Sequence, residues 1–164
     1  MTSENALPLH GIRVLELGHT IMGPTAGLVL ADLGADVYKV ERTGRGDDTR
    51  WLKGFGAGFF TYFNRNKKSI SIDLKSAAGR ELLLRLIETA DVLIENFGPE
   101  TVDRLGVGYE ACSRRNPRLI YCSLKGFMPG PYEKRPALDE VVQMMGGLAY
   151  MTGPTGRPLR AGAS

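Results

Sequence analysis

Between residues 12 and 124 the sequence alternates short β-branched, apolar runs with amphipathic ones, and that rhythm limits the fold more than any single motif. The strand-like runs cover 12–17, 36–40, 69–74, 91–95 and 119–124. Gly11 and Gly18 bound the first, as turn residues bound strands. Helical patterns fall at 25–33, 76–90, 99–104, 109–115 and 138–145, with Pro24 in a first turn, Gly34 as a stop, Ser76 as a cap and Gly146-Gly147 as a break. In the second of these, Leu82, Leu83, Leu86, Ile87 and Ala90 share one helical face. Strands and helices in alternation predict an α/β, Rossmann-like fold, a mainly parallel sheet with right-handed crossovers and helices on both faces. Loops 43–58 and 125–137 are long and rich in Gly and Pro. In such sheets ligands meet the loops at the carboxyl ends of strands.

Composition narrows the function classes. With 43% apolar and 24% charged residues the chain is globular in character, and 164 residues suffice for one core. A net charge of +3 suits an anionic small molecule and is too weak to argue for nucleic acid on its own, so no nucleic-acid partner is expected. Met1 to Asn5 carry no basic-then-apolar leader, and no apolar run approaches the ~20 residues of a membrane helix, so a cytoplasmic protein without a membrane partner is expected. Cys112 and Cys122 lack metal-ligand neighbours and read as reduced thiols, so no metal is expected.

Two glycine patterns fail as nucleotide fingerprints. Gly44-Arg45-Gly46 lacks a third glycine and follows the second strand, and Gly18…Gly23 lacks the Lys-Ser/Thr of a P-loop. Basic residues are more telling: Arg42, Lys75 and Arg104 each follow a different strand, where together they suit phosphates. The aromatic stretch Trp51, Phe55, Phe59, Phe60, Tyr62 and Phe63 reads mainly as core packing, with a lid over a pocket as the alternative. His10 is expected to be exposed, while His19 lies in the first βα loop.

Several segments in order, Gly34-Ala35-Asp36-Val37 through Lys39-Val40-Glu41-Arg42, Gly46-Asp47-Asp48-Thr49-Arg50, 64–70, Asp91 to Phe97, and Gly126-Phe127 before Gly130-Pro131, resemble the family III CoA-transferases. This group contains formyl-CoA and carnitine CoA-transferases, and the resemblance spans residues 8–164. It implies that residues 1–164 are the N-terminal part of the large domain, with the rest of that domain and a small domain elsewhere. It also implies an interlocked homodimer, or a partner chain supplying the rest of the fold.

The resemblance further implies transfer of coenzyme A from an acyl-CoA to a small carboxylic acid through an aspartyl-CoA intermediate. His19, Ile21, Met22, Arg42, Ile72, Asp73, Leu74, Lys75, Asn96, Phe97, Gly98 and Arg104 are then expected at the CoA. Pro158 to Gly162 match the start of the family's Pro-x-x-x-Gly-x-x-x-x-Asp pattern, which puts the nucleophilic aspartate three residues past Ser164. The isolated chain is accordingly expected to be inactive. Asp139 falls where the family often has a supporting active-site acid. Two alternatives remain: a 2-methylacyl-CoA racemase, whose histidine is replaced here by Leu138, and a non-catalytic CoA-binding or assembly subunit.

Overall fold

The computed structural model describes residues 7–162, in two compact units divided between Leu124 and Lys125. In the first unit β1 (Arg13–Leu17), β2 (Asp36–Glu41), β3 (Lys68–Ser71), β4 (Val92–Glu95) and β5 (Ile120–Ser123) form one sheet in the order β3-β2-β1-β4-β5. All four pairings are parallel, with Val14 opposite both Val37 and Val92. The expected α/β, Rossmann-like architecture is therefore present. Its helices are α1 (Met22–Asp32), α2 (Phe59–Phe63), α3 (Ala77–Ile87), α4 (Thr101–Arg104) and α5 (Tyr109–Arg115), with tight 3-10 turns at Asp48–Trp51 and Gly54–Gly58.

Alternation along the strands splits the core between the two faces of the sheet. Val14, Val37 and Ile94 pack with Ala31 of α1 on one face. Leu15, Leu17, Val40 and Leu93 pack with Leu83 and Ile87 of α3 and Cys112 of α5 on the other. Leu83, Ile87 and Leu93 are fully buried, each stabilising the fold by roughly 1.5–3 kcal/mol. Ser76 caps α3 as expected, its hydroxyl accepting from the Gly79 N–H at 3.0 Å. Leu82 departs from the expected apolar face and stays 44% exposed.

The aromatic stretch is not core. Phe55 is 95% exposed and Trp51 and Tyr62 are also largely open. Edge-to-face contacts link Phe55 to Phe59 and Phe59 to Phe63, and the Arg50 guanidinium lies 3.7 Å from the Phe60 ring centre. None of the six rings is buried, so aromatic content alone did not place them in the interior.

The second unit holds α6 (Asp139–Met145) and α7 (Leu148–Thr152). Gly147 between them takes φ +83°, a left-handed turn that glycine accepts without strain. Ala149 is fully buried, and its carbonyl accepts from the Leu159 N–H.

Candidate functional site

Five parallel strands place all their carboxyl ends along one edge. The chain runs outward from β1 to β2 and β3, then returns past β1 to β4, so the topological switch lies between β1 and β4. That is where open α/β sheets bind ligands. Two predicted residues meet there: the His19 N–H donates to Asn96 Oδ1 at 2.8 Å, and Asn96 Nδ2 donates to the His19 carbonyl at 3.0 Å. The Phe97 ring centre stands 5.8 Å from that of His19.

Close packing explains the Gly18…Gly23 spacing that superficially resembled a P-loop. A Cβ on Gly23 would come within 2.7 Å of Gly18 Cα and 2.9 Å of Asn96 Oδ1. The glycines let α1 start directly against the end of β1. Thr20 adopts φ +64° between them, a strained setting for a β-branched residue.

The other predicted contacts occupy the same edge without all converging. Arg42 follows β2, Ile72 to Lys75 follow the neighbouring β3, and Arg104 ends α4 after β4, on the far side of β1. Arg42 already holds partners, a salt bridge to Asp48 and a 2.9 Å hydrogen bond to the Gly46 carbonyl. A cavity of about 290 Å³ is lined by Arg42, Arg45, Arg50, Trp51 and Glu41, but not by Lys75 or Arg104. Ile72 puts its side chain into the core at 3% exposure, leaving its backbone as its route to a ligand. Met22 is 48% exposed at the start of α1.

Asp139 opens α6 in the second unit. Leu138 is the N-cap, and no side chain caps the helix. The Asp139 carboxylate instead accepts from Gln143 Nε2 at 2.8 Å, and Gln143 Oε1 accepts from the Ala161 N–H at 2.7 Å. Its partner is thus one turn along the helix, so helix capping does not explain this carboxylate.

A set of buried charges beneath the edge was missed. Lys39 Nζ lies 3.1 Å from Glu16 Oε1 and 2.9 Å from Asp47 Oδ2, and donates to the Gly18 carbonyl at 2.7 Å. Lys67 Nζ lies 2.6 Å from Glu16 Oε2 and donates to the Pro24 carbonyl at 2.7 Å. The four side chains are at most 2% exposed. Burial lowers the Lys67 pKa, against the opposing pull of Glu16. For Asp47 burial acts to raise the pKa, yet hydrogen bonds and charge from Lys39 and the Thr49 N–H outweigh it and lower it.

Glu41 at the end of β2 accepts from Arg50 Nε and Nη2, Ser69 Oγ and the Asp47 N–H at 2.6–2.8 Å. Burial would raise this carboxyl too, but those donors win and hold it at about 2. The available signal was a charge inside each apolar strand, Glu16 within β1 and Lys39 within β2, because buried charges require partners. Cys112 is inert structure: burial pushes its thiol up to about 11. Among the described residues no three His, Cys, Asp or Glu side chains group as a metal site needs, and no described helix is long and apolar enough to cross a membrane.

Comparison with known proteins identifies the family. The model of CoA-transferase family III matches residues 9–164. A formyl-CoA:oxalate CoA-transferase of Rhodopseudomonas palustris (strain TIE-1) is 48% identical over 160 residues, 94% of this chain and 38% of that protein. An acyl-CoA transferase of Fusarium pseudograminearum is 43% identical over 168 residues, 94% of this chain and 37% of that protein. The chain thus spans less than two-fifths of the length of these curated relatives. Among solved structures, a CAIB/BAIF family protein from Brucella suis superposes with a TM-score of 0.87 at 44% identity, covering 96% of this chain and 44% of that one. Rv3272 from Mycobacterium tuberculosis gives 0.87 at 40% identity, covering 96% and 45%. With the match running through all five strands and both loops of the switch point, the chain belongs to CoA-transferase family III.

Proposed function

We propose that this chain supplies the acyl-CoA-binding part of an enzyme that moves coenzyme A from a thioester to a free carboxylic acid. The observation that carries this reading is the Asn96 bridge at the switch point. It joins two loops that hold candidate contacts, His19 to Met22 and Asn96 to Gly98, at the edge where α/β sheets take ligands. The cavity at Arg42, Arg45 and Trp51 fits the nucleotide end of CoA, offering cations for phosphate and an aromatic face for a purine. Lys75, after β3, and Arg104, after β4 on the other side of β1, add basic charge to the connections that leave the same edge.

In this proposal the chain binds and orients the substrate, and a carboxylate performs the chemistry. An aspartate, which the family pattern puts three residues past Ser164, attacks the thioester carbonyl and expels CoA thiolate. The thiolate then opens the resulting anhydride to give aspartyl-CoA, from which the acceptor carboxylate takes CoA. Splitting the exchange this way lowers each barrier. Asp139 supports that carboxylate, no metal takes part, and a second interlocked copy completes the enzyme in the cytoplasm.

Isothermal titration of the chain with CoA and with pantetheine tests the binding step. CoA is expected to bind and pantetheine, lacking the nucleotide, to bind at least tenfold more weakly, as loss of charge-assisted contacts predicts. Equal affinities would remove the basic edge from the reading. A racemase would instead need a base near neutral pH beside the α-carbon. Rapid deuterium uptake at C2 of a 2-methylacyl-CoA would favour that chemistry.

A further inference from the structure

The loop of residues 18–21 combines strain with unusual support. Thr20 is held at φ +64°, a conformation that persists for a β-branched residue only where surrounding contacts over-determine it. Those contacts come from two sides. On one, Asn96 makes its reciprocal pair of hydrogen bonds with His19. On the other, the buried Lys39 ammonium donates to the Gly18 carbonyl at 2.7 Å.

Lys39 belongs to a closed set. Glu16 and Asp47 carry two negative charges, Lys39 and Lys67 two positive ones, so the cluster is neutral in a place water does not reach. Buried ions of this kind cost several kcal/mol each to desolvate, and an apolar set of the same volume serves stability as well or better. Their placement is informative. Through them β1, β2, the loop after β2 and the segment before β3 are bolted to two carbonyls, Gly18 and Pro24, that bracket the strained turn. Gly27 is left without a side chain to admit the cluster, since a Cβ there would stand 1.9 Å from Glu16 Oε2.

We infer that Lys39 is a positioning residue, whose buried ammonium fixes the strained 18–21 loop in the shape it presents to the acyl-CoA. This rests on the CoA reading of the site for its consequence, but the loop's rigidity is measurable without ligand.

The test compares the full chain with the variant Lys39→Met/Asp47→Asn. Methionine fills the volume without the ammonium. The introduced asparagine retains an acceptor for the Thr49 N–H, and the Glu16–Lys67 pair remains balanced. Ile87→Val, in the opposite core, serves as a control for general loss of stability. Amide hydrogen exchange of His19 is read by NMR in each. In the unmodified chain His19 is expected to exchange as slowly as Leu15 in β1. In the double variant its exchange should rise on the order of tenfold or more relative to Leu15, the factor expected for losing one charged hydrogen bond. In Ile87→Val the ratio should stay unchanged.

Fast His19 exchange in the unmodified chain, or an unchanged ratio in the double variant, would overturn the inference. The first of these needs no variant to fold. CoA titrations on the same samples separate the two readings. Failure of the unmodified chain to bind CoA defeats the site assignment and leaves the exchange ratio to judge Lys39. Binding by the unmodified chain with undiminished affinity in the double variant defeats the positioning role.

Discussion

Replacing Glu41 with Gln removes the negative charge that accepts four hydrogen bonds at the end of β2, and the effect must depend on pH. The folded Glu41 carboxyl titrates at about 2 against an ordinary 4.5. At 1.36 kcal/mol per pH unit that difference is worth roughly 3 kcal/mol. Arg50, its main partner, keeps 36% of its side chain exposed, and solvent screening reduces the figure to about 2 kcal/mol. Because the folded value is depressed, this stability is fully present above pH 4.5 and is lost as pH falls towards 2. About half should be gone by pH 3, from the linkage relation. Urea unfolding of the parent chain and of Glu41→Gln, followed by circular dichroism between about pH 6 and pH 3, measures the gap. The gap should narrow by about 1 kcal/mol over that range. A gap that stays constant or widens would refute the account of what holds Glu41 ionised.

Other outcomes follow from the same contacts. Arg104→Ala should weaken CoA binding on the order of tenfold or more by calorimetry. Arg42→Ala should cost less, because Asp48 and the Gly46 carbonyl already engage that guanidinium. Gly27→Ala should lower stability by about 1–3 kcal/mol in urea titration, since its methyl would collide with Glu16. Asp139→Asn keeps an acceptor for Gln143 and should leave the thermal midpoint unchanged. In a protein carrying the nucleophilic aspartate it should lower turnover about 100-fold, as for a positioned acid.

The parallel fold was legible because both faces of the sheet are covered, so strands such as 12–17 and 91–95 read as compact apolar runs between helical ones. Ser76 announced α3, and the Arg13–Leu17 strand begins one residue from its expected start. The helix at Phe59–Phe63 was invisible, because its five residues show no periodicity beyond aromatic content. Leu148–Thr152 was masked by the Gly146-Gly147 break before it. Candidate contacts came from basic residues after strands, a property of sequence order, and otherwise from the family resemblance. The Lys39 cluster was not found, since it joins positions 16, 39, 47 and 67 that only β1–β2 pairing and the fold of the loop after β2 bring together. Charges inside apolar strands marked half of it, but their partners lie in loops that read as solvent-facing.

The central claim is that coenzyme A binds along the carboxyl edge of the sheet, across the β1–β4 switch point. Backbone amide chemical shifts of the chain, followed by NMR during a CoA titration, test it most directly. The account predicts saturable shifts at His19 to Met22, Arg42, Asp73 to Lys75 and Asn96 to Gly98, with the amino ends of the strands unaffected. Shifts confined to the opposite edge of the sheet, or none at saturating CoA, would contradict it.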